Sequence, residues 1–199
     1  MNRLTDVVKH LLAINVVVYL IAVVFFELEQ SRDFLALYFP TSDFFQGHQL
    51  ITHMFMHGNT AHLFFNMLLL YFLGPHVEQA LGHKKFLFLY LFSGVGAFLV
   101  HFAMTMVMSS MGVDGGVVGA SGALYGVLIC FALLYPNAKL MLLIPPIPVK
   151  AKILVPILIA IDLFGGFGVA SSPIAHFAHL GGALFGFLAF SYWRMRSAS

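Results

Sequence analysis

The chain has 199 residues, of which 60% are apolar and only 9% charged. A soluble domain of this size carries about 25% charged residues, so the sequence cannot cover itself with polar groups in water and implies lipid as its solvent. The formal charge of +2 is small and scattered, which excludes a nucleic-acid partner, and the single cysteine, Cys130, excludes an intrachain disulfide and reads as a packed core thiol.

A helix needs about 20 apolar residues to cross a bilayer core, and six stretches qualify in chain order. His10–Phe26 is the first; it is too long for a signal-peptide core and lacks a small-residue cleavage site, so it reads as a retained span. The connection Glu27–Gly58 is amphipathic, and its Phe34, Leu35, Leu37, Phe39, Phe44 and Phe45 predict short helices lying in the outer interface. A second span runs from near Asn59 to Leu73 or beyond, and the third is Phe86–Met108. Gly119–Tyr135, Val149–Phe167 and Ile174–Trp193 complete the set. The expectation is an all-α, polytopic membrane protein: one domain over residues 1–199, built as a bundle of six transmembrane helices.

The charges orient that bundle. Arg3, Lys9, Lys84, Lys85, Lys139, Lys150, Lys152, Arg194 and Arg196 fall on one side, and only Arg32 on the other. The other side carries Glu27, Glu29, Asp33, Asp43 and Asp114 instead. The positive-inside rule then places both termini in the cytoplasm. Spans two, four and six run from outside to inside, and the unusual polar residues sit at their outer ends.

Span four opens Gly119-Ala120-Ser121-Gly122. Backbone N–H groups at a helix start lack helical partners and bind anions, and flanking glycines permit close approach. Taken alone, this pattern reads first as a small-residue packing seam, which Gly122 and Gly126 form; the two roles are compatible. In span six, His179 stands roughly 9 Å below the Ser171-Ser172-Pro173 cap. Gly182 and Gly186 share its face, so that face can pack on the Gly122/Gly126 seam and bring the imidazole to the Ser121 hydroxyl. A histidine in lipid is costly and marks function when it faces the bundle interior; the alternative is a histidine bonded to a neighbouring carbonyl. In span two, His62 and Asn66 are stacked on one face. Both can donate to a developing oxyanion, together with the Ser121 N–H, or act as a polar lock between helices.

These residues together resemble the rhomboid protease family over essentially the whole chain. Gly119-Ala120-Ser121-Gly122 resembles its Gly-x-Ser-Gly nucleophile motif, and Ala178-His179-Leu180-Gly181-Gly182 with Gly186 its histidine segment. Thr52-His53-Met54-Phe55-Met56-His57 with His62-Leu63-Phe64-Phe65-Asn66 resembles its second-span region, and Val77-Glu78 before Leu81-Gly82 a following segment. The resemblance implies a Ser121–His179 dyad without an acid, an oxyanion hole of His62, Asn66 and the Ser121 N–H, and Tyr125 stacked beneath the histidine. It implies Glu78 as a structural anchor. Many members carry a tryptophan-containing pair in the first loop, where this chain has His48-Gln49.

Other chemistries are weaker. His-Glu-x-x-His is absent, and His53 and His57, four residues apart, have no nearby carboxylate to complete a metal site. Asp162 alone lies inside a span, which excludes a pair of catalytic carboxylates; it reads as a structural hydrogen-bonding group, with the orienting of a histidine as the alternative. The expected activity is serine-type endoproteolysis of transmembrane helices, chiefly single-pass substrates, in the plasma or inner membrane, with no cofactor, metal or nucleic acid. Lateral entry would be gated by span five and Gly165–Ala175. The alternative is a rhomboid-like, non-proteolytic protein that binds membrane clients.

Overall fold

A computed structural model describes residues 4–26, 28–108, 116–142, 145–166 and 173–198. Arg3, Glu27 and Asp114 of the charge pattern, the Ser171-Ser172 cap and most of the segment Gly165–Ala175 lie outside the described residues. Helix α1 covers Asp6–Phe25, and two short helices follow, α2 (Leu28–Leu35) and α3 (Gln49–Thr52), the latter running into a 3-10 turn at His53–Phe55. Then come α4 (Thr60–Leu81), α5 (His83–Met108) and α6 (Ser121–Leu134). Two short strands, β1 (Lys139–Met141) and β2 (Pro148–Lys150), precede α7 (Ala151–Phe164) and α8 (Pro173–Ala198).

The architecture is helical, as expected, with one small pair of strands added. Strands β1 and β2 pair antiparallel with Leu140 opposite Val149, and Leu37 exchanges both backbone hydrogen bonds with Val117 at 2.9 Å. The prolines around β2 keep this short link from continuing either flanking helix, so backbone pairing satisfies its polar groups instead.

Among the described residues two helices, Asp6–Phe25 and His83–Val107, are long and apolar enough to cross a membrane, and Ser121–Leu134 is a shorter apolar helix. The outward faces elsewhere are apolar as well: Phe64, Phe65 and Phe72 on α4, Ile157, Ile161 and Phe164 on α7, and Leu184, Phe187 and Leu188 on α8 are all exposed. Exposed apolar surface of this extent suits lipid, not water. Helix α6 is central, packed against α4, α5, α7 and α8. It begins at Ser121, later than the expected Gly119, because Gly119 adopts φ +120°, a backbone that no helix continues.

Glycine faces set the helix spacing. A β-carbon placed on Gly182 would lie 1.9 Å from the Gly122 carbonyl oxygen, and one on Gly186 2.5 Å from the Gly126 Cα. The α6 and α8 backbones thus touch, with no side chain between them. At the opposite end, the buried Glu78 carboxylate accepts from the Thr5 hydroxyl and from the Val7 and Val8 amides at 3.0 and 2.9 Å, satisfying the start of α1. The His83 ring bonds the same carboxylate.

The loop between α1 and α4 is tied down by polar contacts. Gln49 is fully buried; its side chain donates to the Phe44 carbonyl at 2.9 Å and the Asp33 carbonyl at 3.3 Å, and accepts from the Gln46 amide at 3.0 Å. His48 stacks near Phe34, with ring centroids 4.6 Å apart, and bonds the Phe34 carbonyl at 2.8 Å. His48 and Gln49 together are thus the clasp of the loop. Met54 seats the following turn against Gly94 of α5.

His53 and His57 lie in this loop, and burial holds both imidazoles down at about 4. Neutral His53 bonds the Gln49 carbonyl at 2.8 Å. Because the folded values lie below the ordinary 6.5, the unfolded chain binds protons first as the pH falls. Stability is then complete above about pH 6.5 and is lost toward about pH 4, by roughly 2 kcal/mol for each histidine at pH 5. Thermal unfolding of the detergent-solubilised protein should show a clearly lower midpoint at pH 5 than at pH 7.5. A flat profile would contradict the neutral burial of these two rings.

Candidate active site

The N-terminal ends of α4, α6 and α8 and the last turn of α7 converge. On α4, the Asn59 side chain accepts from the His62 amide at 2.8 Å and starts the helix just before the two polar residues that matter. His62 and Asn66 then face α6. A β-carbon on Gly119 would lie 2.7 Å from His62 Nε2 and 3.7 Å from Asn66 Nδ2, so only glycine fits between these side chains and the backbone entering α6. The Gly119 N–H is spent on the His53 carbonyl at 2.9 Å, which holds the segment in place. Asn66 is buried, and its Nδ2 has no partner among the described residues: a donor held ready beside Gly119, two residues before Ser121.

Ser121 is the first residue of α6 and is partly exposed. Its amide therefore belongs to the unsatisfied donors of a helix start. Across the glycine seam stands His179, whose ring is stacked on Tyr125 at 4.3 Å between centroids and 7° between planes. Among the hydrogen bonds of the described residues, none joins Ser121 to His179.

Asp162, near the end of α7, completes the cluster. Its Oδ1 accepts from His176 Nδ1 at 2.7 Å and from His179 Nδ1 at 3.1 Å. The Tyr125 hydroxyl lies close to this carboxylate without meeting bonding geometry, and Oδ2 has no hydrogen-bond partner among the described residues. The two loop histidines take no part in a metal-like cluster: His53 is turned to a backbone carbonyl, and no group of three potential ligands occurs among the described residues.

The arrangement gathers an alcohol at a helix start, an imidazole on a rigid stack, and amide and ring donors within one small region. A family model of the Rhomboid domain matches residues 45–196. The chain belongs to the rhomboid family. Rhomboids are membrane-embedded, as the apolar outer faces of this one require. It is 33% identical over 139 residues to Rhomboid protein 1, mitochondrial, of Saccharomyces cerevisiae. It is 35% identical over 144 residues to Rhomboid protease GluP of Bacillus subtilis, and 32% over 153 residues to Presenilin-associated rhomboid-like protein A, mitochondrial, of Danio rerio. These alignments cover 70%, 71% and 74% of this rhomboid but only 40%, 25% and 39% of the relatives. The chain thus spans two fifths or less of the relatives' own length.

Of the residues singled out in the sequence, this rhomboid brings together Ser121, His179, Tyr125, His62, Asn66 and Gly119 at one end, with Gly122, Gly182 and Gly186 forming the seam below. Two contributions escaped sequence reasoning. His176 was not singled out, although its spacing of three from His179 puts both on one helical face. The Gln49 clasp was hidden because its partners are backbone groups, which no side-chain pattern announces.

Proposed function

We propose that this rhomboid is an intramembrane serine endopeptidase: six transmembrane helices in one domain, with Ser121 as nucleophile and His179 as general base. The observation that carries the reading is the backbone contact of α6 with α8, which sets the stacked imidazole of His179 beside the helix start that carries Ser121. The substrate is a membrane-spanning helix, chiefly of a single-pass protein, whose end unwinds into the site. His179 takes the Ser121 proton as the hydroxyl oxygen attacks the scissile carbonyl. The Ser121 N–H and the side chains of Asn66 and His62 hold the resulting oxyanion. His179 then gives the proton to the leaving amine, and water hydrolyses the acyl-enzyme by the same route in reverse. No cofactor or metal enters these steps. The charge pattern puts both termini in the cytoplasm and the site toward the outer face of a plasma or inner membrane, with lateral entry past α7.

The test is cleavage of a model single-span substrate by the purified protein in detergent and in liposomes, paired with labelling by a fluorophosphonate probe. A protein that binds the substrate helix yet neither cleaves it nor takes the probe would instead be a client-binding rhomboid. Within the proteolytic reading, Asn66→Ala removes a buried, unpartnered donor. It is expected to lower kcat by about 10²-fold with a small change in KM, since the oxyanion exists only in the transition state. Unchanged kcat in the single-span assay would remove Asn66 from that role.

A further inference from the structure

Stacking on Tyr125 fixes the plane of the His179 ring, but not which of its edges faces the serine. A half-turn of the ring about its Cβ–Cγ bond would put carbons where Nδ1 and Nε2 stand, at little cost to the stack. The contact that distinguishes the two orientations is the hydrogen bond from His179 Nδ1 to Asp162 Oδ1 at 3.1 Å. An ionised carboxylate only accepts, so His179 donates from Nδ1 and keeps its lone pair on Nε2, the one nitrogen free to take a proton. Asp162 is itself held: it is buried, and His176 makes the shorter bond to the same oxygen at 2.7 Å, tying α7 to α8. His176 in turn packs on Gly165, where a β-carbon would lie 2.8 Å from its ring.

We propose that Asp162 is a positioning residue for His179, setting which edge of the ring meets Ser121 while the proton transfers stay with the Ser121–His179 pair. The inference rests on the proteolytic reading above. Asp162 remains ionised throughout; the proton passes from Ser121 Oγ to His179 Nε2 and on to the leaving amine, and the carboxylate faces the imidazolium that exists in between. A tie between α7 and α8 alone would not need the second bond, because His176 already supplies one.

The experiment uses the full chain in detergent, with kcat and KM for a single-span substrate. Asp162→Asn presents an amide that can turn its NH₂ toward the ring and favour the wrong tautomer. It is expected to lower kcat by about 10²-fold with KM within about threefold of wild type. Asp162→Glu, which keeps the carboxylate, should restore at least part of that loss. Asp162→Asn at wild-type kcat, or no recovery in Asp162→Glu, would overturn the proposal and leave Asp162 a tie between helices. Should the asparagine variant fail to fold, ring ¹⁵N NMR of the wild type decides: the Nδ1–H tautomer at His179 is expected, and the Nε2–H tautomer would refute it. Ser121→Ala run alongside separates the two levels. If wild type cleaves no faster than that variant, the proteolytic reading itself fails, whatever Asp162 does.

Discussion

Ser121→Ala is expected to lower cleavage of a single-span substrate by about 10⁴-fold or more, and to abolish fluorophosphonate labelling, with unfolding temperature unchanged. The size follows from chemistry: without the hydroxyl there is no acyl-enzyme, and what remains is stabilisation of a water attack by the surrounding donors. The unchanged stability follows from position. Ser121 opens α6, its hydroxyl makes no hydrogen bond to His179, and alanine favours a helix at least as well. Loss of activity with folding intact is thus an assignment of the nucleophile and not of a packing defect. Undiminished cleavage would dismiss Ser121 and, with it, the use made of His179.

Gly182→Ala should do damage of another kind, reducing both stability and activity. The added β-carbon would meet the Gly122 carbonyl oxygen at 1.9 Å, and that neighbour is backbone with no rotamer to change. Helices α6 and α8 must then separate, at a cost of about 3 kcal/mol or more. Separation also draws His179 away from Ser121. A misplacement of about 1 Å is enough to cost about 10²-fold in rate. Gly47→Ala is the matched control, since nothing lies within 4 Å of the corresponding position; it should leave the unfolding temperature and kcat unaltered. If both variants behaved like wild type, the helices would not be in the contact described, and the juxtaposition of serine and histidine would lose its support.

How much of this could be read from the letters depends on the range of each interaction. Gly119-Ala120-Ser121-Gly122 and Ala178-His179-Leu180-Gly181-Gly182 are local patterns whose chemistry and whose packing demand the same small residues, so both are visible in one dimension. The helical stretches are visible for a similar reason: long apolar runs have few other uses. The extra length of α4 was only half visible, because Pro75 looks like a terminator and yet lies within the helix, beside Gly74, which packs on Val8. The hairpin of β1 and β2 was not visible at all. Each strand is three residues long, too short for a period of two to register against the flanking helices. The sharing of Asp162 between two imidazoles was beyond reach on different grounds. It depends on how α7 and α8 are rotated about their own axes, and one chain's alphabet does not record rotation.

The anchorage of α1 bears on where this protein may be cut. The family match starts at residue 45, which leaves the first helix on the far side of the boundary. Yet Glu78, well inside the match, holds the Thr5 hydroxyl and the Val7 and Val8 amides, and Val8 fills the space over Gly74. A truncation made at the similarity border would strip the Glu78 carboxylate of the Thr5, Val7 and Val8 donors and uncover the apolar face around Gly74. The matched region, residues 45–196, is therefore smaller than the unit these contacts tie together.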